Sequence, residues 1–189
     1  MYDLKDDEEI ETKQYKVVVL GDGAVGKTSI CNRFSTDQFN QTYKQTIGVD
    51  FFTKKINLPP KTEVTMQLWD IGGQSIGSKM VEMYVGGAHA VLLCYDITNY
   101  DSFANLEDWY RIVTKTFKGK PMPYIALVAN KIDLKHLTVV RLEQHNQFAQ
   151  QNKFASFMMS AKIGDQVMST MMKVASKLSG VSINAKVCV

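Results

Sequence analysis

Few residues of the kind that mark special chemistry occur in this chain. Three cysteines and three histidines are spread over 189 residues. Cys31, Cys94 and Cys188 form an odd set without metal-type spacing, which excludes a disulfide framework and a cysteine-based zinc site as organising principles. Cys31 and Cys94 lie in apolar patterns and read as reduced core residues of a cytosolic protein. His89, His136 and His145 form no ligand pattern. No apolar run approaches the ~20 residues of a membrane-spanning helix. The net charge of +3 is too small to point to nucleic acid as a partner. There is no internal repeat and no low-complexity segment, so the length predicts one domain with a sizeable core.

The charge is unevenly placed. Residues 1–13 carry six acidic side chains against two lysines, giving the tail −4 and the remainder +7. The spacing predicts a disordered, solvated acidic tail over 1–13.

Strand and helix signals alternate through the rest. Residues 15–20 read as a strand and 27–35 as a helix, followed by a loop with Phe39 and Tyr43. Strands over 49–58 and 62–69 flank Pro59-Pro60, a pair suited to a hairpin turn and not to a ladder. Ala90 to Tyr95 and Tyr124 to Ala129 are continuous apolar runs, as central strands covered on both faces require. Residues 102–116, 139–151 and 165–179 carry helical periodicity, and Phe154 to Met159 reads as a strand. In the last helix Val167, Met168, Met171, Met172, Ala175 and Leu178 form a stripe expected to pack in the core. The alternation predicts an α/β fold: a mostly parallel six-stranded sheet with one antiparallel edge strand and helices on both faces. Ligands of such folds bind at the carboxyl ends of the strands.

The motifs fall at those ends. Gly21-Asp22-Gly23-Ala24-Val25-Gly26-Lys27-Thr28 leaves the first strand and enters the first helix, the context of a phosphate-binding P-loop. Glycines let backbone N–H groups wrap phosphates, and the helix start adds its positive dipole end. Residues 21–28 and the adjoining Ser29 are therefore candidate nucleotide contacts. Lys27 is expected on the β- and γ-phosphates, and the Thr28 hydroxyl on Mg²⁺. Trp69-Asp70-Ile71-Gly72-Gly73-Gln74 ends the third strand. Asp70 occupies the place of a Mg²⁺-holding carboxylate, the Gly73 N–H faces a γ-phosphate, and Gln74 orients the attacking water. Thr46 is expected to ligate Mg²⁺ and to meet the γ-phosphate only in the triphosphate state.

The base is read by Asn130-Lys131-Ile132-Asp133. Asp133 can accept from the N1–H and 2-amino group of guanine, a donor pair adenine lacks. The stem of Lys131 can cover the base, and Asn130 can tie this loop to the P-loop. Ser160-Ala161-Lys162 follows the next strand, with the Ala161 N–H directed to guanine O6.

With these motifs the chain resembles the Ras superfamily of small GTPases over roughly residues 14–180, and the Rab family within it. Thr46-Ile47-Gly48-Val49-Asp50-Phe51 is similar to the Rab switch I signature, and Tyr95-Asp96-Ile97-Thr98-Asn99 with Ser102-Phe103 and Trp109 is also Rab-like. The resemblance implies that Phe39 packs on guanine and that Tyr43 covers the phosphates. Switch II departs from the usual pattern: Ile71-Gly72 and the segment Ser75 to Met80 look like the divergent Rab twenty-eight subfamily. That resemblance implies a monomer that cycles between GTP and GDP, with an exchange factor, an activating protein and effectors that bind the two switches. It further implies vesicle trafficking, and a cytoplasmic protein visiting endosomal or ciliary membranes through a prenylated C-terminal cysteine. Cys188 is the candidate, with only Val189 after it. Residues 14–180 would form the GTPase domain and 181–189 the start of a hypervariable tail. Two alternatives stay open: a nucleotide-locked scaffold, which Gly23, Thr46 and Gln74 argue against, and a P-loop kinase or ATPase, which Asn130 to Asp133 argue against.

Overall fold

A computed structural model describes residues 10–183. In chain order its elements are β1 (Glu11–Leu20), α1 (Lys27–Thr36), β2 (Val49–Leu58), β3 (Thr62–Ile71), α2 (Lys79–Val85), β4 (Ala90–Asp96), α3 (Tyr100–Ala104), α4 (Leu106–Thr116), β5 (Tyr124–Asn130), α5 (Leu142–Asn152), β6 (Ala155–Met158) and α6 (Val167–Ser179), with 3₁₀ turns at Gly73–Ser75 and Ile132–Leu137. Among the described residues six strands form one sheet in the order β2-β3-β1-β4-β5-β6. Only the β2–β3 hairpin is antiparallel within it.

The burial follows from the sequence pattern. Every residue of β4 is buried, because helices cover both faces of the central sheet. On one face Val17, Val19, Leu92, Cys94 and Val128 meet Ile30, Cys31 and Phe34 of α1 and Met171, Val174 and Ala175 of α6. On the other, Val18, Leu20, Leu93, Tyr95 and Leu127 meet Val81 and Val85 of α2, Leu106, Trp109 and Val113 of α4, and Ala149 of α5. The methionine stripe of α6 is core at Met171 and half-buried at Met172, whereas Met168 faces outward at 39% exposure.

The larger departures from expectation are four. β1 begins at Glu11, so residues 11–13, assigned by charge to the disordered tail, instead pair with Thr62 to Val64 of β3. Ladder hydrogen bonds and the bonds of Lys13 Nζ to Ser179 O (3.0 Å) and Glu11 (2.9 Å) hold this polar end in place. Residues 1–9 of the acidic tail, and Cys188, lie outside the described residues. α2 carries only two buried side chains at i,i+4 spacing behind three glycines, too little periodicity to predict it. The helix expected over 102–116 is two helices that meet at Asn105. The helix expected from 139 starts at Leu142, because the N–H groups of Val139 and Val140 donate to Ile97 O.

A buried polar chain links α5 to the sheet. His145, 1% exposed, bonds Tyr95 Oη through Nδ1 (3.0 Å) and Ser156 Oγ through Nε2 (2.6 Å). Burial pushes its imidazole down to about 4 from an ordinary 6.5. The native state thus holds the neutral ring while the unfolded chain takes up a proton below about pH 6.5, so stability falls as pH drops from 6.5 towards 4. Urea unfolding should show a loss of about 2 kcal/mol between pH 6.5 and 5 from this group. A His145→Asn variant should lack that component; an unchanged pH slope would remove His145 from this role.

Candidate functional site

A cavity of about 980 Å³ opens at the carboxyl ends of the strands, between the β1–α1 loop, the segment 39–50, Gly73-Gln74 and the loops after β5 and β6. Its phosphate-like end is the β1–α1 loop. Gly26 caps α1 with φ +97°, and a Cβ there would lie 2.3 Å from Asn130 Nδ2, so only glycine fits. Lys27, 5% exposed, lines the cavity and donates to Asp22 O at 2.7 Å. Burial lowers the pKa of its ammonium, an effect that Asp70 and Asp22 partly offset.

Three oxygen-bearing side chains from separate segments meet below this loop. Thr28 Oγ1 lies 2.9 Å from Thr46 Oγ1 and also bonds Asp70 Oδ2, which accepts from Thr46 at 3.3 Å. Asp70 Oδ1 is buried without a hydrogen-bond partner, alone in this among the described side chains. Burial raises the Asp70 pKa, and the threonine hydroxyls and Lys27 oppose that rise. An orphaned carboxylate oxygen beside two hydroxyls is a hard-oxygen donor set of the kind Mg²⁺ takes.

Gly73 packs directly on the loop: a Cβ there would fall 2.1 Å from Gly23 N and 2.3 Å from the carbonyl carbon of Asp22. A Cβ on Gly23 would in turn stand 3.6 Å from Gln74 Nε2 and 3.8 Å from Tyr43 Oη. Segments far apart in sequence therefore converge at Gly23.

The opposite end gathers the loops after β5 and β6. Asn130 Nδ2 donates to Val25 O (2.9 Å), tying this loop to the β1–α1 loop as the motif predicts. Its Oδ1 accepts from Ala161 N–H (3.1 Å), so that group, expected to face guanine O6, is engaged within the protein. Ser160 Oγ donates to Asp133 Oδ1 at 2.5 Å and orients that carboxylate. Lys131 has a left-handed backbone (φ +68°) and pairs with Asp96 at 2.6 Å, which fixes its stem at the cavity wall. Phe39, Tyr43, Lys131, Asp133, Ala161 and Lys162 line the cavity, as do Ala24 and Ser29.

Some expected contacts do not line the cavity. Gly21 and Val25 are buried beneath the loop, and Ser160 acts through Asp133. The Asp22 carboxylate turns away to accept from Trp109 Nε1 (2.9 Å) and Asn105 Nδ2 (2.7 Å). Asp96 was missed as the partner of Lys131, although its place at the carboxyl end of β4 is a usable signal.

The Ras family model matches residues 16–180 of this chain. The chain belongs to the Ras family. It is 43% identical to Ras-related protein Rab-28 of Caenorhabditis elegans over 179 residues, covering 94% of this chain and 72% of that protein. It is 38% identical to Ras-related protein Rab-7L1 of Rattus norvegicus and of Homo sapiens over 146 residues, or 76% of this chain and 71% of theirs. These relatives set it on the Rab branch, and it is a GTPase. As a Rab-type GTPase it binds guanine nucleotide, and the mixed sheet with its single antiparallel pair is the small G domain.

Proposed function

We propose that the cavity holds Mg²⁺ with GTP or GDP, and that the bound state is read by effectors as a switch in membrane trafficking. The observation that carries this is the meeting of Thr28, Thr46 and Asp70 around an orphaned carboxylate oxygen. Thr28 and Thr46 would supply hydroxyl ligands, and Asp70 would act on the ion directly or through water. Mg²⁺, when bound, would neutralise charge on the phosphate oxygens. Thr46 belongs to a segment with few other restraints, so loss of the γ-phosphate would release it and with it the switch.

Hydrolysis proceeds by in-line attack of water on the γ-phosphorus, with the bond to the β–γ bridging oxygen breaking and the proton passing to phosphate. Gln74 beside Gly23 orients the water. Lys27 and the loop N–H groups stabilise charge on the phosphate oxygens. Among the described residues no arginine lines the cavity, so turnover by the protein alone is slow, roughly 10⁻⁴ to 10⁻³ s⁻¹ as for Ras. An activating protein and an exchange factor are implied. Effectors would meet an exposed apolar surface at Ile47, Phe51, Met80 and Met83, backed by the edge-on contact of Phe51 with Trp69 at 4.6 Å. Among the described residues no helix is long and apolar enough to cross a membrane. Anchoring would fall to a lipid on Cys188.

Thr28→Asn tests the metal ligand. GTP affinity in Mg²⁺ should fall at least tenfold relative to GDP, because Mg²⁺ holds the triphosphate more than the diphosphate. Competition titration against a fluorescent nucleotide measures it. Unchanged GTP affinity in Mg²⁺ would remove Thr28 from the coordination shell.

A further inference from the structure

Arg33 lies six residues beyond Lys27 on α1, away from the cavity lining. Its side chain is 17% exposed, and its donors reach two segments. Nε donates to Ala161 O at 3.0 Å and Nη2 to Lys162 O at 2.7 Å, two consecutive carbonyls of the loop after β6. Nη1 donates to Asp37 O (2.7 Å) and Oδ1 (3.2 Å), so α1's own C-terminal end fixes the far side of the guanidinium. The chain then turns at Gly164, where a Cβ would stand 3.5 Å from Arg33 Cδ. The same strip is held from within by Asn130, through the Ala161 N–H. The loop that walls the base end is thus clamped between Asn130 and Arg33. The phosphate loop leads into the helix that carries Arg33, so α1 sets the spacing between the two ends of the cavity.

We propose that Arg33 is a positioning residue that sets the residence time of the nucleotide, by clamping the base-side loop through the Ala161 and Lys162 carbonyls. This rests on the nucleotide reading above. A planar fork of donors suits two consecutive carbonyls; a lysine ammonium is a point charge and cannot hold both in one plane. Released from the fork, the loop opens more often and the base leaves sooner. The phosphate end keeps its contacts.

The test is GDP dissociation from loaded protein, followed with a fluorescent GDP analogue in Mg²⁺ and in EDTA. Arg33→Gln should release GDP at least tenfold faster, by the same factor in both solutions, since the lost restraint is remote from the metal. Single-turnover GTP hydrolysis should stay within twofold of wild type, a split that general loss of structure would not give. Arg33→Lys should resemble Arg33→Gln, and it decides the matter if Arg33→Gln does not fold. Arg111→Gln, an exposed arginine paired with Asp108, should match wild type. Dissociation within twofold of wild type, or acceleration in Mg²⁺ alone, would overturn the proposal. A wild-type protein that retains no GDP would instead overturn the nucleotide reading on which it rests.

Discussion

Asp133→Asn should lower GDP affinity about a thousandfold and raise affinity for xanthosine diphosphate above it. A half-buried carboxylate oriented by Ser160 at 2.5 Å suits the paired donors N1–H and 2-amino of guanine. Replacing it with an amide leaves one of those donors facing another donor, and an unpaired polar group in such a site discriminates by factors of about 10⁴ or more. Xanthine carries an oxygen where guanine has the amino group, so the amide of Asn can serve it. Equilibrium competition between the two diphosphates measures the reversal. Retained preference for guanine would remove Asp133 from base recognition.

Gly73→Ala should reduce single-turnover GTP hydrolysis about a hundredfold while GDP affinity stays within about threefold. The added methyl would lie 2.1 Å from Gly23 N and 2.6 Å from Gly23 Cα, both backbone atoms that no rotamer change can move away. Ordinary contact needs 3.4 Å or more, so the Gly73-Gln74 segment must shift by about 1 Å. A displacement of that size in a positioning group costs on the order of 10² in rate. GDP binding uses Lys27, Asp133 and the loops around them and is largely spared. Near-normal hydrolysis would mean that Gln74 acts from a geometry other than this one.

What was legible in the sequence was the local part of the site. The run from Gly21 to Thr28 fixes its own backbone and leaves a strand for a helix, so context identifies it. The Asn130 to Asp133 motif likewise follows an apolar run that can only be a central strand. The bond from Asn130 to Val25 O joins the two as expected, because a side-chain amide next to a backbone carbonyl is predictable once both loops reach one sheet edge. What stayed hidden depends on tertiary packing. Asp22 turns its carboxylate to Trp109 and Asn105, more than 80 residues away, and nothing local distinguishes that from a ligand contact. The Ala161 N–H pairs with Asn130 for the same reason. α2 gave no signal because two buried valines and a Ser78 cap make a helix only once α4 and the sheet are in place. Charge composition misjudged residues 11–13, since backbone pairing with β3 does not depend on apolar side chains.

The proposed switch is timed by water that Gln74 orients at Gly23. Single-turnover GTP hydrolysis by the wild-type chain beside Gln74→Leu, each loaded with GTP and started with Mg²⁺, tests it most directly. Slow wild-type turnover, roughly 10⁻⁴ to 10⁻³ s⁻¹, with at least a tenfold lower rate in the leucine variant, is the predicted result. Equal rates in the two proteins would contradict it, because water placement by Gln74 would then contribute nothing to the reaction.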